Sequence, residues 1–243
     1  MSATIDDLAR LVRGARTAVV LTGAGVSTDS GIPDFRSRSG LWRDADPMRF
    51  ATQRGFLDDP IAFYDFWREH LGKLAEVKPN VTHEVVAHLE SRGHVRSVVT
   101  QNIDGLHQAA GSKNVHEVHG TFRTVRCVEC GVREPSTRAF SIVGRAPRCR
   151  VCGGLLRPDV VLFGEALGGA FEDATDDLAR ADLLLVLGSS LEVAPVSEMV
   201  PFAAERKIPV AIVNRERTAC DDEASLVLHE DLAPTMRALR SRV

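Results

Sequence analysis

The chain has 243 residues, a size that suits one sizeable core with a small appended module better than two full domains. Hydrophobic residues make up 44% and charged residues 26%, and a formal net charge of -3 gives no electrostatic reason to place nucleic acid as a partner. The opening segment MSATIDDLAR is acidic where a secretory leader is basic, and the apolar runs are strand-sized, so the expected setting is cytoplasmic with no membrane partner.

Ile5, Leu8, Leu11 and Val12 recur at helical spacing behind Thr4, which predicts a capped helix over residues 4–16. The apolar run from Thr17 to Thr22 predicts a strand that ends in a glycine turn. Further strands are expected at Val95 to Thr100, Val160 to Phe163, Leu183 to Leu187 and Val210 to Val213. Several are continuously apolar rather than alternating, as in parallel strands covered on both faces. Helices are expected at Ile61 to Val77, His83 to Ser91, Glu172 to Arg180, Pro195 to Arg206 and Pro234 to Arg240. This alternation predicts an α/β fold with a doubly wound parallel sheet. Two stretches interrupt it, a helical one at about 37–77 and a cysteine-rich one at about 124–157. Without repeats or low-complexity linkers, both read as insertions forming a small part, while about 1–36, 78–123 and 158–243 form the large part.

Five cysteines, four of them in two CxxC pairs, fit a reducing compartment and a bound metal. Cys127, Cys130, Cys149 and Cys152 have the spacing of two knuckles that close a tetrahedral four-thiolate zinc site with no open position, hence a structural one. Arg126, Arg148 and Arg150 adjoin these ligands, either to offset the thiolate charge or as ordinary surface arginines. Cys220 has no assigned role.

The turn from Gly23 to Ser27 follows the first strand, and its two glycines suit a close backbone approach to a pyrophosphate. Thr28 stands where the third glycine of the usual dinucleotide fingerprint belongs, so this turn alone is equally a simple tight turn. The string continues to Asp34, Phe35 and Arg36, which offer a carboxylate, an aromatic lid and a guanidinium to a cationic heteroaromatic ring. Gln101, Asn102, Ile103 and Asp104 begin where the strand at Val95 ends, the position at which open α/β sheets bind ligands. Taken singly, Asn102 or Asp104 reads as a helix cap. His119 is suited to general-base work because an imidazole titrates near neutral pH, and His116 is its decoy. Phe163, Gly164 and Glu165, the run from Gly188 to Val193, and Asn214 are strand-end residues that fit either ligand contact or ordinary loops.

In this order GAGVSTDSGIPDFR, QNIDGLH, HG, the paired CxxC motifs, FGE and GSSLEV resemble the signature set of the sirtuin family, spread from Gly23 to Asn214. The resemblance implies a Rossmann-like large domain, a small domain holding one structural zinc, and a cleft between them for NAD and an acylated-lysine protein or peptide. It implies an NAD-dependent protein-lysine deacetylase or deacylase producing nicotinamide, O-acyl-ADP-ribose and free lysine. His119 would be the base and Asn102 a second catalytic residue. Ala24, Gly25, Thr28, Phe35, Arg36, Gln101, Asn102, Ile103, Asp104, Gly188, Ser189, Ser190 and Asn214 would contact NAD, Asp104 through the carboxamide. Val161 and Phe163 would line the acyl-lysine tunnel, and the peptide would add as a strand between Gly164 and Glu192-Val193. Two rivals use the same site: a mono-ADP-ribosyltransferase, and a non-enzymatic NAD-sensing scaffold. Sirtuins that favour acidic acyl chains resemble one another in a tyrosine followed three residues on by an arginine. Here Tyr64 matches but Trp67 stands at the arginine position, so acetyl is expected over succinyl, with Arg68 solvated or tied to Asp65.

Overall fold

The computed structural model describes residues 3–35, 40–72 and 74–243. Thr4 closes the first helix, α1 (Ile5–Gly14), with a capping box shared with Asp7. Then follow β1 (Ala18–Thr22), α2 (Pro47–Phe50), α3 (Gln53–Asp58), α4 (Pro60–Leu71), α5 (Val81–Ser91), β2 (Val95–Thr100), α6 (Leu106–Ala109), β3 (Val115–Glu117) and β4 (Gly120–Cys127). The chain continues through β5 (Arg133–Pro135), α7 (Thr137–Ser141), β6 (Leu156–Val160), α8 (Gly169–Ala179), β7 (Leu184–Leu187), α9 (Met199–Glu205), β8 (Val210–Val213), β9 (Leu226–Leu228) and α10 (Leu232–Arg240).

A six-stranded parallel sheet has the order β3-β2-β1-β7-β8-β9. The chain builds outward from β1 to β3, returns to β7 on the other side of β1, and builds outward again to β9. This is the doubly wound order, with its switch point between β1 and β7. One apolar layer joins Val20 and Leu185 to α1, α5 and α10, and another joins Val19, Leu184 and Val186 to α8 and α9. Strands buried on both faces need unbroken apolar runs, which accounts for the sequence of β7.

The second sheet is three-stranded and antiparallel, in the order β5-β4-β6. It shares a core with α3 and α4, where Phe56, Phe63, Tyr64, Trp67, Phe122 and Leu156 pack together. The expected parallel strand at Val160 to Phe163 is corrected here. β6 runs over Leu156–Val160 and pairs with β4 in the small sheet, and the Val161 and Phe163 amides donate outside it, to His119 O and Ala51 O. Its apolar run reflects packing at the cleft, not two-face coverage by helices. The expected helix to Val77 stops at Leu71, and α9 begins at Met199 after a single tight turn at Val196–Glu198. Among the described residues, no helix is long and apolar enough to cross a membrane.

Candidate active site and zinc centre

A cleft of about 410 Å³ opens where the carboxyl ends of β1, β2, β7 and β8 face the small sheet and the helical insertion. At the switch point the turns after β1 and β7 interlock. A Cβ on Gly25 would lie 2.8 Å from the Gly188 carbonyl oxygen, and one on Gly188 would lie 2.7 Å from the Val26 nitrogen. Gly188 also has φ of 59°, in the left-handed region. Gly23, Ala24, Gly25 and Gly188 therefore give the cleft a floor of nearly bare backbone. That surface fits a dinucleotide, whose pyrophosphate needs close access to backbone amides.

Behind the floor lies a polar chain. Ser27 Oγ donates to Asp104 Oδ2 at 2.7 Å and accepts from Asn102 Nδ2 at 3.1 Å. His83 Nδ1 accepts the Asn80 amide, so its Nε2–H points to Ser27 Oγ at 3.4 Å. Asp104 Oδ1 caps α6 through the Leu106 amide, so both its oxygens are engaged. His107 Nε2 meets Thr22 Oγ1 at 3.0 Å, and its ring lies edge-on to His83 with centroids 4.9 Å apart. Burial pushes the His83 imidazole down to about 4 against the opposing pull of Asp104, and burial aided by His83 pushes His107 down to about 3. Both rings are thus neutral at pH 7. Gln101 Nε2 donates to Ser189 Oγ at 2.8 Å, tying the β2 and β7 loops together across the cleft.

His119 stands on the cleft wall, with Nδ1 3.0 Å from Gln101 O. That bond places the proton on Nδ1 and the lone pair on Nε2. The glycine that follows is dictated by geometry: Gly120 has φ of 78°, and a Cβ there would lie 2.3 Å from Asp159 O on β6. His116 is elsewhere, its Nε2 2.9 Å from Asp177 Oδ2.

The structure gathers Ala24, Gly25, Thr28, Phe35, Gln101, Asn102, Ile103, His119, Gly188, Ser189, Ser190 and Asn214 around this one cleft. It brings Val161, Phe163, Gly164, Glu192 and Val193 to the same cleft. Asp104 is not among the lining residues, and Arg36 lies outside the described residues. Trp67, which stands at the arginine position of the acyl comparison, lines the cleft, and so does Trp42, which was not singled out because nothing in its spacing marks it apart from a core aromatic. Ser27, His83 and His107 were likewise missed as a set, because they come from three separate segments.

Trp67 Nε1 donates to Phe50 O at 2.7 Å. Tyr64 is fully buried, donates its hydroxyl to Leu156 O and is not among the residues that line the cleft. Arg68 bonds to Asp65 and to the Phe140 and Ile142 carbonyls, so the expected tie to Asp65 is present.

The four thiols of Cys127, Cys130, Cys149 and Cys152 all lie within 4.8 Å of one another. Cys127 and Cys152 sulfurs are 3.4 Å apart, and Cys130 and Cys149 sulfurs 3.7 Å apart. Tetrahedral thiolates about 2.3 Å from a common centre are about 3.8 Å apart, so the set fits zinc. Cys127 and Cys149 belong to the small core, which ties the metal site to the helical insertion. Of the adjoining arginines, Arg126 faces Asp159 at 3.5 Å, and Arg148 Nη1 is 3.4 Å from the Gly153 carbonyl.

Residues 23–195 match the Sir2 family. An NAD-dependent protein deacetylase of Haloarcula marismortui is 43% identical over 99% of this chain and 95% of its own length. A solved Sir2 structure with a deacetylated p53 peptide and 3'-O-acetyl ADP-ribose superposes with a TM-score of 0.94 at 36% identity, covering 99% of this chain and 98% of that one. Another, of Sir2 with a p53 peptide and NAD+, gives 0.90 at 36% identity, covering 98% of each chain. The chain belongs to the Sir2 family.

Proposed function

We propose that this protein is an NAD-dependent protein-lysine deacylase, releasing nicotinamide, free lysine and O-acyl-ADP-ribose. The observation that carries the reading is His119, whose Nε2 lone pair is set by the Gln101 bond on a wall between the bare-backbone floor and the segment Val161 to Gly164. Bound NAD supplies an activated glycosidic bond and the ribose that receives the acyl group. Nε2 of His119 accepts the proton of a ribose hydroxyl. Asn102 orients the reacting end, with its amide held by Ser27 and, through Ser27, by Asp104 at the nicotinamide end. Ala24, Gly25 and Thr28 hold phosphate and ribose, Phe35 and Arg36 flank the nicotinamide ribose, Gln101 and Ile103 line its pocket, and Gly188, Ser189, Ser190 and Asn214 hold the adenosine side.

Val161 and Phe163 line the acyl-lysine tunnel, and the peptide backbone adds between Gly164 and Glu192-Val193. The large part of about 1–36, 78–123 and 158–243 carries NAD, while the small part of about 37–77 and 124–157 closes over it. Acylated-lysine proteins are the partners, with no specific nucleic acid. The cytoplasm is the setting, because a reducing compartment keeps the zinc thiolates intact. Offering lysine peptides bearing different acyl groups together with NAD, and following nicotinamide release, tests the reading. Mass spectrometry that finds ADP-ribose on the peptide would support the transferase rival, and no nicotinamide release with any acyl peptide would leave only the scaffold.

A further inference from the structure

Arg157 is 3% exposed, although it lies on β6, an edge strand of the three-stranded small sheet. A buried guanidinium persists only where its charge and its donors are met. Here Nη1 donates to Glu165 Oε1 at 2.6 Å, and Nη2 donates to Glu165 Oε2 at 2.9 Å and to Val160 O at 2.7 Å. This is the two-pronged arginine–carboxylate geometry, which fixes direction as well as distance. The carboxylate is held from a second side, because the Leu162 amide donates to Oε2 at 2.9 Å. The Glu165 amide in turn donates to Leu162 O at 3.0 Å, closing a turn whose third residue, Gly164, has φ of 89°. Desolvation works to raise the Glu165 carboxyl, but the bonds from Arg157 and Leu162 outweigh it and hold it below its ordinary value.

The segment so fastened carries Val161, Phe163 and Gly164 along the cleft. It is also joined by backbone bonds from Val161 to His119 O and from Phe163 to Ala51 O, and by Leu162, whose side chain packs in the small core. The backbone floor at Gly25 and Gly188 is built by β1 and β7 and does not depend on this segment. Loss of the Arg157 fork therefore loosens the acyl-peptide side of the cleft, where Glu165 fixes the turn, and leaves the dinucleotide side in place.

We propose that Arg157 is a positioning residue for the acylated peptide: through its buried fork to Glu165 it sets the segment Val161 to Gly164 against which the substrate docks. The proposal rests on the deacylase reading. Its test uses full-length protein, a fluorescently labelled acetyl-lysine peptide for binding, and steady-state KM values for peptide and NAD. Arg157→Met is expected to raise peptide Kd and KM about tenfold or more while NAD KM moves less than about twofold, since small misplacements of a positioning element are costly. Arg157→Lys, which keeps the charge but not the fork, falls between. Glu165→Gln shifts peptide KM in the same direction.

The double variant Arg157→Met with Glu165→Met removes both charges and separates positioning from mere stability. It is expected to recover thermal stability relative to Arg157→Met without recovering peptide affinity. Recovery of both, or an equal rise in KM for NAD and peptide, overturns the proposal, and Glu165→Gln keeps the test open if Arg157→Met does not fold. Wild-type protein that releases no nicotinamide with any acyl peptide sinks the functional reading and this inference with it. Active wild type with unchanged peptide affinity in Glu165→Gln and the double variant sinks this inference alone.

Discussion

The Nδ1 atom of His119 lies 3.0 Å from the carbonyl oxygen of Gln101, a residue whose side chain reaches across to Ser189 on the opposite wall. The proposed base is thus oriented by the strand end that also lines the cleft proposed for NAD. His119→Ala should lower deacylation about a hundredfold to ten-thousandfold, the usual range for losing a general base, while NAD affinity by calorimetry stays within a few-fold. His116→Ala should leave turnover nearly unchanged, because His116 is engaged with Asp177 outside the cleft. Near-normal turnover in His119→Ala would remove the mechanism proposed for this site.

Four thiolates leave zinc no open position, and two of the cysteines sit in the core shared with α3 and α4. Metal binding is then part of folding rather than of chemistry. One zinc per chain is expected by elemental analysis, and Cys130→Ala should give aggregated or unstable protein rather than a folded, slow enzyme. A soluble, active, metal-free Cys130→Ala protein would contradict this.

The doubly wound sheet was legible because β1, β7 and β8 announce themselves as short continuous apolar runs, while β2, interrupted by Arg96 and Ser97, shows only through its valines. The three-residue edge strands β3 and β9 were not, since they are too short to show a period. The cysteine quartet was readable from spacing alone, because two knuckles are local in sequence. Most cleft residues were readable only as an ordered set of motifs, each of which is ordinary singly. The Ser27 to His83 contact escaped for a different reason: it joins residues 56 positions apart, and no local pattern encodes it. The Val160 to Phe163 run was misread because apolar residues packing beside a cleft have the composition of a buried strand.

The buried pair His83 and His107 makes stability depend on pH. Both are held neutral in the fold, at about 4 and about 3, mainly by burial, whereas in the unfolded chain a histidine titrates near 6.5. Below about pH 6.5 the unfolded state binds more protons, so the stability they confer is complete above that value and declines as pH falls towards their folded values. Each contributes a slope of about 1.4 kcal/mol per pH unit within its window. Urea midpoints should therefore drop between about pH 7 and pH 5, and the drop should be shallower in His107→Gln. An equal drop in that variant would show that other groups govern the acid limb.

We place the choice of acyl group beside Trp67. Its indole lines the cleft and is fixed by the bond to Phe50 O, while Tyr64 turns its hydroxyl to Leu156 O in the small core. Arg68, the arginine of α4, is drawn to Asp65 and to the carbonyls of Phe140 and Ile142, leaving its side chain 20% exposed and facing α7. An acyl chain ending in a carboxylate would meet an indole with no arginine from this helix to pair with, and desolvating an unpaired carboxylate costs several kcal/mol. Acetyl-lysine should therefore exceed succinyl-lysine in kcat/KM by about a hundredfold or more in the same peptide. Trp67→Arg should narrow that gap by bringing a cation to the cleft wall, whereas Arg68→Met should leave the ratio unchanged and lower thermal stability instead. A wild-type preference for succinyl that vanishes in Arg68→Met would mean that Arg68 leaves its carbonyl partners when substrate binds, and would overturn the assignment.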